Sequence, residues 1–124
     1  MCKRLAILFV LLVLPLFASA KPVLVMAEEP GCIWCARWNE EIGPIYPKTG
    51  EGIAAPLRRY DITTPVPDDI ELARRVNFTP TFILLINGVE QHRIEGYPGE
   101  DFFWGLLGQM LEKEDIAFSS EIAK

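Results

Sequence analysis

Histidine occurs once in the 124 residues, at His92, so a histidine-rich metal site is excluded. No Ser-His-Asp arrangement and no glycine-rich phosphate loop is visible. Positive charge is also scarce: Lys and Arg total 12 against 17 Asp and Glu, a net charge of -5. A chain short of cations is not built to neutralise phosphates, which argues against a nucleic-acid partner. Three cysteines are too few to staple a small disulfide scaffold. Disorder is excluded from the other side, because half of the residues are apolar. The length admits one small domain.

Much of the apolar excess lies at the N-terminus. Lys3 and Arg4 precede a run from Leu5 to Phe17 interrupted by Pro15, and Ala18-Ser19-Ala20 supplies small residues for a peptidase. Residues 1–20 therefore read as a secretory signal peptide cleaved after Ala20. The run is shorter than the ~20 residues that span a bilayer, although a retained signal-anchor is the competing reading. Cys2 lies before the apolar core and not at the cleavage point, which argues against a lipoprotein. Cleavage leaves residues 21–124 as a soluble, exported, more acidic domain. Its only cysteines are Cys32 and Cys35.

The run 22–27 fits a buried strand. A helix is expected from Cys32, with Trp34, Cys35, Trp38 and Ile42 on one side and Gly43-Pro44 at its end. Residues 44–56 read as irregular, with one helical turn near 51–55. A second strand is expected over 57–62. A second helix should start at Pro67-Asp68-Asp69 and carry Ile70, Leu72, Ala73 and Val76. Thr81 to Ile86 is the clearest strand, and Asn87-Gly88 is a favoured hairpin turn into a returning strand 89–95. Glu100-Asp101 open a last helix with Phe103, Leu106, Leu107, Met110 and Leu111 as its stripe. The order β-α-β-α-β-β-α describes an α/β domain, a mixed four-stranded sheet with helices on both faces.

Cys32-Ile33-Trp34-Cys35 sits where a strand gives way to a helix. The first N–H groups of a helix are unpaired and carry partial positive charge. A thiolate there is stabilised, and its pKa falls below the free value of about 8.5. A second thiol one turn along can attack a mixed disulfide and release its partner. Cys32 is thus the candidate nucleophile and Cys35 the candidate resolving thiol. Three plainer readings compete. A structural disulfide would close so small a loop that it constrains the unfolded chain little. Zinc wants four ligands, and only His92 could join the two cysteines. Two inert buried thiols fit poorly with export to an oxidising compartment.

Together with Phe78-Thr79-Pro80-Thr81-Phe82 before a later strand, this motif resembles the thioredoxin superfamily over about residues 22–112. The resemblance implies a thioredoxin-like fold and a cis peptide at Thr79-Pro80, with Pro80 facing the cysteines. It also implies that the Thr79 backbone pairs with a substrate segment, and that no bound cofactor is needed. More narrowly, residues 28–38, Ile45-Tyr46-Pro47-Lys48 and residues 93–104 are similar to the SoxS group of periplasmic thioredoxins, which accompany bacterial sulfur-oxidation gene clusters. That likeness implies a periplasmic location and a protein thiol or disulfide as substrate, in which a thiol of the sulfur-carrying machinery is kept reduced. A reductant would need a membrane-bound thiol relay as its electron donor. Family members run from reductants to oxidants and isomerases, and a non-catalytic module with a static disulfide is a further alternative.

The sequence departs from the family pattern in three places. Gly31 replaces the usual Trp before the first cysteine, and Ile33-Trp34 replaces Gly-Pro. Met26 stands where thioredoxins place a buried Asp that accepts a proton from the resolving thiol; Glu28 and Glu29 are the nearby acids that could substitute. Trp34 either packs on a substrate peptide or covers the apolar face. Trp38 and Phe102-Phe103-Trp104 are expected in the core, and His92 on the surface.

Overall fold

The computed structural model describes residues 20–120, so the expected signal peptide falls almost wholly outside the described residues. Strand β1 (Pro22–Glu28) leads into α1 (Ile33–Glu41). A 3-10 turn (Tyr46–Lys48) and a short α2 (Gly50–Ala54) follow, then β2 (Leu57–Asp61), β3 (Thr81–Ile86), β4 (Val89–Glu95) and α3 (Glu100–Lys113). The four strands form one mixed sheet in the order β2-β1-β3-β4. β1 runs parallel to β2 and antiparallel to β3, and β3 pairs antiparallel with β4.

The apolar runs of β1 and β3 are buried on both faces because they occupy the centre of the sheet. Leu24, Met26, Phe82 and Leu84 point into one core with Trp38, Ile42, Tyr46, Phe103 and Leu107. Val25, Ala27, Ile83 and Leu85 point into the other with Tyr60, Ile70 and Val76. Period-two alternation thus feeds two cores from the same strands. The first is aromatic: Trp38 lies 5.3 Å from Phe82 and 5.7 Å from Phe103, ring centre to ring centre. Tilted contacts of this kind contribute about 0.5–1.5 kcal/mol each beyond the area they bury. Trp104 is half-buried and stacks on Tyr46, whereas Phe102 is exposed and not in the core as expected.

Asn87 and Gly88 have φ of 52° and 82°, the positive values that a two-residue hairpin turn requires at both central positions. The irregular stretch before β2 is more ordered than its prolines and glycines suggest. The Thr49 hydroxyl accepts from Gly52 N–H at 3.0 Å to start α2, and donates to the Tyr46 carbonyl at 2.7 Å.

The helix expected over 67–76 does not form, so among the described residues helices cover only one face of the sheet. Ile70 and Val76 are buried as the pattern requires, but apart from one tight-turn bond, Ile70 N–H to the Pro67 carbonyl, the backbone carrying them is bound to β4 and the turn before it. Glu71 N–H donates to the Gly88 carbonyl and Glu90 N–H to the Glu71 carbonyl. Ala73 N–H donates to the Glu90 carboxylate at 2.6 Å, and the Arg93 guanidinium donates to the carbonyl of Arg74 at 2.9 Å and that of Arg75 at 3.3 Å. Groups spent on these partners are unavailable for i to i+4 bonds. A pinned coil takes the place of the second helix.

Candidate active site

Because β1 and β3 are antiparallel with Ala27 opposite Thr81, the end of β1 and the start of β3 meet at one edge of the fold. Cys32 follows β1 by four residues, and Thr79-Pro80 immediately precedes β3. The cysteine motif and the proline motif, separated by more than forty residues in sequence, are thereby brought together. The Thr79-Pro80 peptide is cis. Pro80 is buried and Thr79 half-buried.

Cys32 is the N-cap of α1, in extended conformation, and its Sγ accepts from Cys35 N–H at 3.1 Å. A cysteine in the position usually held by Ser or Asp places sulfur on the unpaired N–H groups of the first turn. Cys32 and Cys35 are joined in a disulfide, with Cα atoms 5.2 Å apart. Their exposure differs: Cys32 is half-buried, whereas Cys35 is 4% exposed and packs in the aromatic core. Of the two cysteines, Cys32 is the more accessible to an incoming molecule.

A cleft of about 390 Å³ beside the disulfide is lined by Glu28, Glu29, Gly31, Cys32, Cys35 and Asn39. Arg59 ties its far wall: the guanidinium pairs with Glu28 and donates to Asn39 Oδ1 at 2.7 Å. The same group lies 3.6 Å from Met26 Sδ. Met26 is fully buried and has no site for a proton; Glu28 and Glu29 are the acids at this cleft, and the Glu29 carboxylate is engaged by the Thr79 hydroxyl at 2.9 Å.

On the other side, Trp34 is 53% exposed. It carries the Arg37 guanidinium over its ring at 5.6 Å and lines a shallow cleft of about 280 Å³ with Arg37, Tyr97, Pro98 and Gly99. Glu41 accepts from Arg37 Nε at 2.6 Å and from the Tyr97 hydroxyl at 2.7 Å. These bonds, Arg37 first, hold the Glu41 carboxyl below its usual pKa. Burial, reinforced by Glu41, pushes the Tyr97 hydroxyl well above the usual tyrosine range. Sequence reasoning missed this side. Gly96-Tyr97-Pro98-Gly99, between the strand 89–95 and the helix at Glu100, has the composition of a loop, but nothing in the sequence places it beside Trp34. The bond from Gly96 N–H to the Pro80 carbonyl, 2.7 Å, is what brings it there.

Ile33, Trp34 and Phe78 are all more than half exposed at this edge. His92 lies elsewhere, half-buried and 2.9 Å from the Glu114 carboxylate. Among the described residues, no group of three or more His, Cys, Asp or Glu is placed to hold a metal ion. No helix among them is long and apolar enough to cross a membrane.

A family model described as a thioredoxin-like domain matches residues 17–111. Among solved structures, the chain is similar to the periplasmic thioredoxin SoxS from Paracoccus pantotrophus in its reduced form. The two are 53% identical, with 75% of this chain and 98% of that one covered and a TM-score of 0.74. The thioredoxin Mala s 13 of Malassezia sympodialis is 18% identical over 73% of this chain and 75% of that one. Its TM-score of 0.50 is a likeness of fold alone. No curated protein matches the chain.

Proposed function

The chain belongs to the thioredoxin-like family, and on that premise we propose that it is a periplasmic thiol-disulfide oxidoreductase that reduces a disulfide in a partner protein. The observation that carries this reading is the asymmetry of the pair. The half-buried Cys32 caps the N-terminus of α1, and its sulfur is bonded to that of the buried Cys35.

In the reduced protein, the Cys32 thiolate attacks one sulfur of a partner disulfide. That S–S bond breaks, a Cys32–partner bond forms, and the partner's other sulfur leaves as a thiolate. Cys35 then loses its proton and attacks Cys32 Sγ, which expels the second partner sulfur and closes the Cys32–Cys35 bond. Two electrons have passed to the partner, and the protein is left as the disulfide described above. Thr79 offers backbone groups to an extended partner segment, Pro80 sets the shape of that edge, and Trp34 provides an apolar surface beside it. The Cys32–Cys35 pair is itself the redox centre, so the chemistry calls for no other cofactor.

The likeness to SoxS supports a partner in the sulfur-carrying machinery and a membrane-bound thiol relay as donor. Equilibration of the Cys32–Cys35 pair with glutathione tests the direction of electron flow. A reductant is expected near ~-270 mV, whereas a value near ~-120 mV would assign the protein as an oxidant. Export is tested by the mass of the protein recovered from the periplasm. The expected species begins at Lys21, and one that retains residues 1–20 would contradict the signal-peptide reading.

A further inference from the structure

Glu29 lies in the turn between β1 and Cys32 and is bonded in two directions. Its backbone carbonyl accepts from Cys32 N–H at 3.3 Å. Its carboxylate accepts from the Thr79 hydroxyl, Oγ1 to Oε1, at 2.9 Å, across fifty residues of sequence. One residue therefore holds the segment that ends in the nucleophilic sulfur and also the segment that forms the docking edge. The docking segment is anchored on its sheet side by other bonds. Thr81 Oγ1 donates to the Phe78 carbonyl at 2.6 Å, and Gly96 N–H donates to the Pro80 carbonyl at 2.7 Å. Neither bond reaches the cysteine turn, and Glu29 does.

We propose that Glu29 is a positioning residue for protein substrates: through Thr79 it sets the spacing between Cys32 and the edge on which an extended partner segment lies. The inference rests on the roles assigned above to Cys32 and Thr79. A protein disulfide must satisfy two constraints at once, sulfur at Cys32 and backbone at Thr79, and it loses affinity when that spacing is free to vary. A small disulfide meets only the first. Glu29 accordingly favours protein over small-molecule disulfides by acting through Thr79.

The test compares steady-state reduction of insulin, a protein disulfide, with that of hydroxyethyl disulfide, which is small and uncharged. Glu29→Ala is expected to raise KM for insulin about fivefold, the effect of one lost hydrogen bond, with kcat held within about twofold. Turnover of hydroxyethyl disulfide should change by less than about twofold, the scatter of an uninvolved site. Glu29→Gln keeps an oxygen that can accept from Thr79, and should restore the wild-type KM. Thr79→Val should raise KM as Glu29→Ala does, and the double variant should add nothing, because both remove the same bond. The proposal is overturned if Glu29→Ala leaves KM for insulin unchanged, if both substrates lose equally, or if Gln behaves as Ala. A wild-type protein that reduces neither substrate would overturn the oxidoreductase reading itself, and that outcome is separate from the other three.

Discussion

Cys32→Ser is expected to abolish reduction of protein disulfides, with turnover falling on the order of a thousandfold or more, as for other enzymes stripped of a nucleophile. A serine hydroxyl at the N-terminus of α1 remains a good helix cap, so the fold should persist while the chemistry is lost. Serine cannot form the thiolate that attacks a disulfide, and Cys35, a residue only 4% exposed, is poorly placed to replace it. Cys35→Ser should fail differently. The first attack still occurs at Cys32, but nothing resolves the mixed disulfide, so turnover stops after one event. Insulin reduction checks the rates, and unfolding midpoints identical to wild type under reducing conditions check that the fold is unaffected.

The second large effect concerns stability, far from the cysteines. Arg93 and Glu90 side chains are 5% and 3% exposed and paired with each other, and between them they hold the backbone of residues 73–75. Removal of one partner of a buried pair leaves an uncompensated charge, so Arg93→Ala should cost about 3–5 kcal/mol. The exposed pair Arg74–Glu95 is the internal control: Arg74→Ala should cost no more than about 1 kcal/mol. Urea midpoints measure both.

The effect of Arg93→Ala also carries a pH signature. Burial pushes the Glu90 carboxyl up, but the bonds from Arg93 and Ala73 outweigh it and hold the carboxyl below its ordinary value. A group whose folded pKa is depressed contributes stability that is complete above its unfolded pKa, about 4.3 for Glu, and lost as pH falls through the folded value. The gap between wild type and Arg93→Ala should therefore be constant near neutrality and narrow in acid. A gap that widened below pH 4 would contradict this assignment.

The same pair explains where the sequence could and could not be read. β1, β3, the Asn87-Gly88 turn and the start of α1 were legible because their causes are local. They rest on a buried apolar run, a dipeptide that tolerates positive φ, and a cysteine able to cap a helix. Ile70, Leu72, Ala73 and Val76 carry helical spacing, and Ile70 and Val76 are buried, yet the segment is coil. Its hydrogen-bonding partners, Gly88 in the hairpin turn and Glu90 and Arg93 in β4, come some fifteen to twenty residues later. In the sequence Glu90 and Arg93 look like ordinary strand residues, and a pattern of apolar positions does not reveal competition for backbone groups.

The candidate site divides in the same way. Cys32 and Cys35 announce themselves by spacing and by their place after a strand, and Thr79-Pro80 by resemblance. The bond between Glu29 and Thr79 depends on how β1 and β3 are paired. The cleft formed by Trp34, Arg37 and Tyr97 depends on where Gly96 is tethered. Each becomes visible only once the sheet has assembled.

The Cys32–partner disulfide is a covalent bond that can be weighed. Reduced Cys35→Ser protein mixed with insulin and analysed by non-reducing mass spectrometry should give a one-to-one adduct, joined through Cys32 and released by dithiothreitol. Failure to form that adduct, with Cys32 shown to be free and reduced, would contradict the assignment of Cys32 as the attacking sulfur and with it the proposed oxidoreductase mechanism.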